Sequence, residues 1–163
     1  MRVFVPATLP MLADLYRSGR LDVGRREVGY AVTPGLRESY AGGDSEELEY
    51  AALTEAARAS LGLLAADAQA PPRRVVVALD VRQAEPATSH GHAAVRLTEP
   101  VTLEQVAAIH LDDGDAEETV RAAVSALDAA EAGDEEAAQA VEELEGYELL
   151  WFATQEIPDL LSG

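Results

Sequence analysis

The 163-residue sequence predicts an α/β (or α+β) fold, a single domain over residues 1–163 with a mixed β-sheet of about five to six strands covered by helices. Three observations predict it. Short runs rich in β-branched residues alternate with longer segments whose apolar residues recur at helical spacing. Arg73–Val81 (RRVVVALDV) is almost continuously apolar, as befits a central strand buried on both faces. Thr8, Thr33 and Asp44 each precede a helical pattern as N-caps, the first two with proline one or two residues further on.

Taken in order, RVFVPAT alternates and reads as the first strand, followed by a helix from Thr8 to Arg17 that Gly19 stops. Arg20–Arg26 is expected as an exposed loop and Glu27–Val32 (EVGYAV) as a second strand. Thr33 and Pro34 start a short helix through Tyr40, ended by Gly42-Gly43. Asp44 and Glu47 have capping-box spacing, and Tyr50, Leu53, Ala57, Leu61 and Leu64 form an apolar stripe on the helix that follows. After Pro71-Pro72 and the central strand, residues 83–92 read as a surface loop. Ala93–Thr98 and Val106–Leu111 are the fourth and fifth strands. Asp112, Asp113, Asp115, Glu117 and Glu118 then open a helix, where negative charge suits the N-terminal dipole. Its buried face is Val120, Ala123, Val124 and Leu127, and Gly133 breaks it. Asp134 begins a second helix with Ala137, Val141 and Leu144 inward, Gly146 ends it, and Glu148–Ala153 (ELLWFA) is a final apolar strand before a tail containing Pro158. Because aromatics make up only 5%, Phe4, Trp151, Phe152 and the tyrosines are expected as the few large core fillers.

Composition removes several function classes. The chain has no cysteine, which excludes disulfides, thiolate catalysis and zinc–cysteine or iron–sulfur centres. MRVFVPATLP lacks the apolar region of a secretory signal, and no run approaches the roughly 20 apolar residues of a membrane span, so a cytoplasmic, non-membrane protein is expected. All twelve basic residues are arginine and lysine and asparagine are absent, a bias typical of GC-rich bacterial genes. Charge is segregated: residues 1–82 hold ten Arg against eleven acidic residues (−1), and residues 83–163 hold two against nineteen (−17). A net charge of −18 repels phosphate backbones, so no nucleic-acid partner is expected, and Arg17, Arg20, Arg25 and Arg26 are too few to reverse it. Phosphate-loop and dinucleotide glycine motifs are absent from the sequence.

The blocks MRVFVPATL, TPGLRESYAGGDSEELEYAALTEAARASLGLLAAD, RRVVVALDV, VAAIHLDD and ELLWFATQEI, spanning essentially the whole chain, resemble a conserved actinobacterial protein family of unknown function. The resemblance implies a cytoplasmic protein and supplies no substrate, cofactor or catalytic residue.

Three constellations carry reactive side chains. His90-Gly91-His92 in an extended segment would aim two imidazoles to one side as a metal pair, with Asp80 or Glu85 as a third ligand; two exposed loop histidines are the plainer expectation. His110, with Asp112 and Asp113 behind it, sits at a strand's carboxyl end, where a histidine near carboxylates is a general base or simply a hydrogen-bonded core residue. Thr33, Arg37, Tyr40, Glu49, Tyr50 and Arg58 concentrate arginine, tyrosine and carboxylate on two consecutive helices, with Thr8 at the end of the first strand. They either clamp an anionic group or brace the helices internally. The candidate ligand-binding set is therefore Thr8, Thr33, Arg37, Tyr40, Glu49 and His110, with no cofactor expected. The function this suggests is a non-enzymatic protein-interaction or regulatory module that pairs with a second copy or a basic protein. A small-molecule-binding protein or enzyme using an Arg/Tyr/His pocket is the alternative.

Overall fold

The computed structural model describes residues 1–21, 28–40 and 42–162. Seven strands form one sheet: β1 (Arg2–Ala7), β3 (Val28–Tyr30), β4 (Val75–Asp80), β5 (Ala84–Pro86), β6 (Ala94–Leu97), β8 (Val106–Leu111) and β9 (Leu150–Phe152). Their order is β5-β6-β3-β1-β4-β8-β9, and every recorded pairing is antiparallel. The α/β class is as expected; the sheet has more strands than the sequence suggested. A two-stranded ribbon pairs β2 (Arg20–Leu21) with β7 (Val101–Thr102).

The apolar β1 and β4 lie inside the sheet because both of their faces are covered. Val3 and Val5 of β1, with Val75, Val77 and Leu79 of β4, pack beneath Leu12 and Leu15 of α1 (Leu9–Ser18) and Ile157 of α6 (Ile157–Ser162). On the opposite face Phe4, Val76, Ala78 and Ala108 meet Leu36 of α2 (Pro34–Ser39) and Leu48, Ala52, Ala56 and Ala57 of α3 (Ser45–Ala66). Alanine on this face of α3 lets the helix lie close to the sheet, since small side chains shorten the distance between packed elements. Further along α3, Leu61 and Leu64 pack with Val120, Ala123 and Leu127 of α4 (Glu117–Glu131) and with Val141 and Leu144 of α5 (Glu135–Leu144). The α4–α5 hairpin thus hangs from the C-terminal half of α3.

Local signals placed these helices well. The Thr8 hydroxyl accepts from the Met11 amide, the Thr33 hydroxyl from Leu36 at 3.0 Å and the Asp44 carboxylate from Glu47 at 2.8 Å. Gly19 ends α1 with φ of +80°, its N–H reaching the Leu15 carbonyl. Gly29 serves close approach instead: a Cβ there would lie 2.5 Å from Val3 Cγ1.

Several expectations need correction. Arg20 and Leu21 enter a ribbon strand instead of a loop, while Arg25, Arg26 and Glu27 lie outside the described residues. The 83–92 segment contains β5 and a 3₁₀ turn (Thr88–His90). The tail folds as α6, with Pro158 in its first turn, where a missing N–H costs nothing. The apolar run ELLWFA supplies only a three-residue edge strand, and Trp151 is exposed, not a core filler. Tyr50 likewise faces outward from α3.

Candidate functional site

The densest polar network sits where β4 begins and β8 ends. Val75 pairs with Leu111, so the next residues outward, Arg74 and Asp112, are cross-strand neighbours. Both side chains are buried. The Arg74 guanidinium donates through Nε to Asp112 Oδ2 and through Nη2 to Oδ1, each at 2.8 Å, and the Arg74 amide adds a third bond to Oδ2. This fork geometry suits a carboxylate, and the backbone closes the pair further through Asp112 N–H to Arg74 O. Arg73 donates twice to the Asp112 carbonyl. Arg74 Nη2 also donates to the Tyr147 carbonyl, which ties the α5–β9 connection to the sheet.

Arg74 forms part of the wall of a cleft of about 280 Å³ between α3, α5 and the segment leading into β9. Leu53, Ala57, Leu61, Val141, Leu144 and Leu149 give it apolar walls, and Tyr50 and Tyr147 are exposed residues of its lining. Arg58, exposed one α3 turn beyond Thr54, adds a second cation, whereas Glu145 and Glu148 contribute carboxylates on the α5–β9 side. Nη1 of Arg74 makes no hydrogen bond to a described residue, in a side chain that is only 7% exposed. Arg74 is thus a fixed donor group at the wall of an apolar-walled cleft, its charge matched by Asp112. The Thr54 hydroxyl is already committed to the Tyr50 carbonyl.

None of the six residues in the candidate set lines this cleft. Thr8 and Thr33 are buried caps. Arg37 and Tyr40 are exposed at the end of α2, and Glu49 is exposed on α3. His110 is half-buried on β8 with its ring edge-on to Phe4 at 6.1 Å, and it makes no recorded bond to Asp112. Burial, and then the positive charge of Arg2, hold its pKa below the usual histidine value. Asp112 is no helix opener: α4 starts at Glu117, and Asp112 turns inward to Arg74. Of the wider arginine–tyrosine group, Tyr50 and Arg58 do come together in the cleft.

His90 and His92 flank Gly91 and are both exposed. Among the described residues no three His, Asp or Glu side chains gather as a metal site. The Thr33 hydroxyl instead donates to the His92 carbonyl. Burial raises the pKa of Glu55, with the His92 charge opposing it, and burial together with the Glu55 charge raises that of Tyr30. Sequence reasoning missed Arg74, Tyr147 and the α5 wall. The available signal was a charge at the entry to one apolar run (RRVVV) and an opposite charge at the exit of another (HLDD), which antiparallel pairing makes neighbours.

Fold and cleft together define a helix-covered, antiparallel-sheet α/β protein with an apolar-walled cleft beside its sheet, lined by two arginines and two glutamates. Over residues 1–161 the chain matches a family of unknown function, DUF6912, and it belongs to that family. No curated protein and no solved structure matches the chain significantly. Among the described residues, no helix is long and apolar enough to cross a membrane.

Proposed function

We propose that this protein is a non-enzymatic, cytoplasmic regulatory module that binds a small monocarboxylate with an apolar or aromatic body in the α3–α5 cleft. The observation that carries this reading is Arg74 at the cleft wall, its Nε and Nη2 fixed by Asp112 and the Tyr147 carbonyl, with the exposed Arg58 beside it in the lining. Pre-fixed donors bind an anion without first losing side-chain freedom. Arg58 supplies a second positive charge, and the leucines, valine and tyrosines of the lining match an apolar body. The volume of about 280 Å³ lies near the lower end of ligand pockets and favours a compact molecule. Glu145 and Glu148 disfavour a polyanion such as a nucleotide. Binding is favoured over catalysis because the lining holds no histidine and its only aliphatic hydroxyl, that of Thr54, is engaged.

The test is calorimetric titration with 3-phenylpropionate and with its uncharged amide. The acid is expected to bind and the amide to bind at least about tenfold more weakly, equivalent to about 1.4 kcal/mol. Arg58→Met should weaken the acid alone, and Thr54→Trp, which fills the cleft from an exposed position, should abolish both. Equal affinity for acid and amide, or no heat from either, would overturn the proposal.

A further inference from the structure

The two edges of the seven-stranded sheet differ in chemistry. β5 carries Glu85 and Pro86, the residue types that blunt an edge against further pairing. β9 carries Leu150, Trp151 and Phe152, with neither charge nor proline in the strand. Its inner side pairs with β8, and no described strand lies beyond it. Leu150 is 43% exposed and Trp151 62% exposed, in a chain whose net charge is −18. Alternation sets their directions: Phe152 packs with the α1 side of the core, whereas Trp151, opposite His110, stands on the α3 side.

We infer that β9 is a self-association edge, on which a second copy of this chain adds its own β9 antiparallel about a twofold axis at Trp151. An isologous contact must be self-complementary, and this register is. Trp151 faces Trp151 of the second copy, and Leu150 faces Phe152, so apolar residues meet apolar residues throughout the strand. Just beyond the strand Leu149 falls opposite Ala153, and the 3₁₀ turn Thr154–Glu156 then ends the extended pairing. No carboxylate lies among the paired residues Leu149–Ala153, although both flanks are acidic. The product is one continuous sheet of fourteen strands, seven from each copy, ending at both extremities in the blunted β5.

The driving force is apolar burial and backbone pairing, and it opposes the repulsion between two strongly acidic bodies. Association therefore strengthens as salt screens that repulsion, with a screening length of roughly 10 Å at 0.1 M and 3 Å at 1 M. A contact between the basic segment of one copy and the acidic helices of another would respond in the opposite sense. Trp151 is the chain's sole tryptophan, so its emission reports this edge directly.

Sedimentation velocity on the full chain, from about 1 to 100 µM, spans the dissociation constants accessible to such a contact. In about 0.5 M NaCl a concentration-dependent doubling of mass is expected, together with a blue shift of tryptophan emission. Both should weaken in about 0.05 M NaCl, where screening is poor. Trp151→Arg should raise the dissociation constant at least about tenfold, as loss of a central aromatic does. Because residue 151 is exposed, the variant's circular dichroism should stay unchanged, as should its unfolding midpoint under dilute, low-salt conditions where the wild type is also monomeric; Leu150→Glu serves as a second edge variant read the same way. A wild-type monomer throughout overturns the inference. So does a dimer that weakens with salt, or one that survives both folded variants.

Discussion

Asp112 is buried with no exposed surface, and its carboxylate and carbonyl oxygens are all hydrogen-bonded. Three donors converge on its carboxylate and two on its carbonyl. Removing one partner of such a pair leaves the other ion buried and uncompensated, at a cost of about 3–5 kcal/mol. Asp112→Asn should therefore lower the unfolding free energy by about that amount in urea titrations, and Arg74→Met combined with Asp112→Leu should recover much of it. A single-variant loss below about 1 kcal/mol would show that the pair is dispensable. His110 makes a second prediction at this scale. Its folded pKa lies below 6.5, first through burial and then through Arg2. Between the two values the unfolded chain binds the proton more readily, so this residue's contribution falls as pH drops below about 6.5 and levels off beneath the folded pKa. His110→Gln should thus gain stability relative to wild type on going from neutral pH to mildly acid pH. A stability difference that is constant with pH would exclude this coupling. Both residues were visible in the sequence, but their partners were not. Asp112 resembles its acidic neighbours until the strand register turns it towards Arg74.

At the scale of elements, α3 is locked to the sheet by Ser60, whose hydroxyl donates to the Ala7 carbonyl at 2.8 Å and accepts from the Val75 amide at 3.1 Å. Ala7 and Val75 are paired residues at one end of the β1–β4 ladder, so one buried hydroxyl satisfies groups of two strands. Ser60→Ala leaves both without this partner and should cost about 1–3 kcal/mol in equilibrium unfolding. A neutral substitution would mean that these backbone groups find other partners. The capped helices were legible because Thr8, Thr33 and Asp44 act on amides three residues away, a range that sequence spacing records directly. The shortest strands were not. Val101–Thr102 and Arg20–Leu21 hold too few residues for any periodicity and exist through pairing with each other. ELLWFA read as buried because it is apolar on both alternating sets; only its place at the sheet edge exposes Trp151.

For the whole molecule, the α/β class was readable from alternating strand and helix patterns, but strand order was not, since it depends on which distant runs pair. The cleft was hidden for the same reason: its walls come from residues 50–61, 74 and 141–149, joined only by the α4–α5 hairpin folding back on α3. That hairpin also concentrates the charge. Residues 117–145 carry ten Asp and Glu against the single Arg121. Its inner face is held by Val120, Ala123, Leu127, Val141 and Leu144, while the opposing force is repulsion among exposed carboxylates. Compaction raises that repulsion relative to the unfolded chain, and salt shortens its range. Raising NaCl from about 0.02 to 0.5 M, which cuts the screening length from tens of Å to a few, should therefore raise the thermal midpoint. The gain should be local as well as global. Amide exchange should slow more in α4 and α5 than in the mid-sheet strand β4, because β4 is apolar on both faces and paired on both sides, by β1 and β8. Repeating the salt series on the Trp151→Arg variant separates this effect from dimer formation. A midpoint indifferent to salt, or protection that rises equally in β4 and the hairpin, would show that hydrophobic contacts to α3 alone set the hairpin's stability.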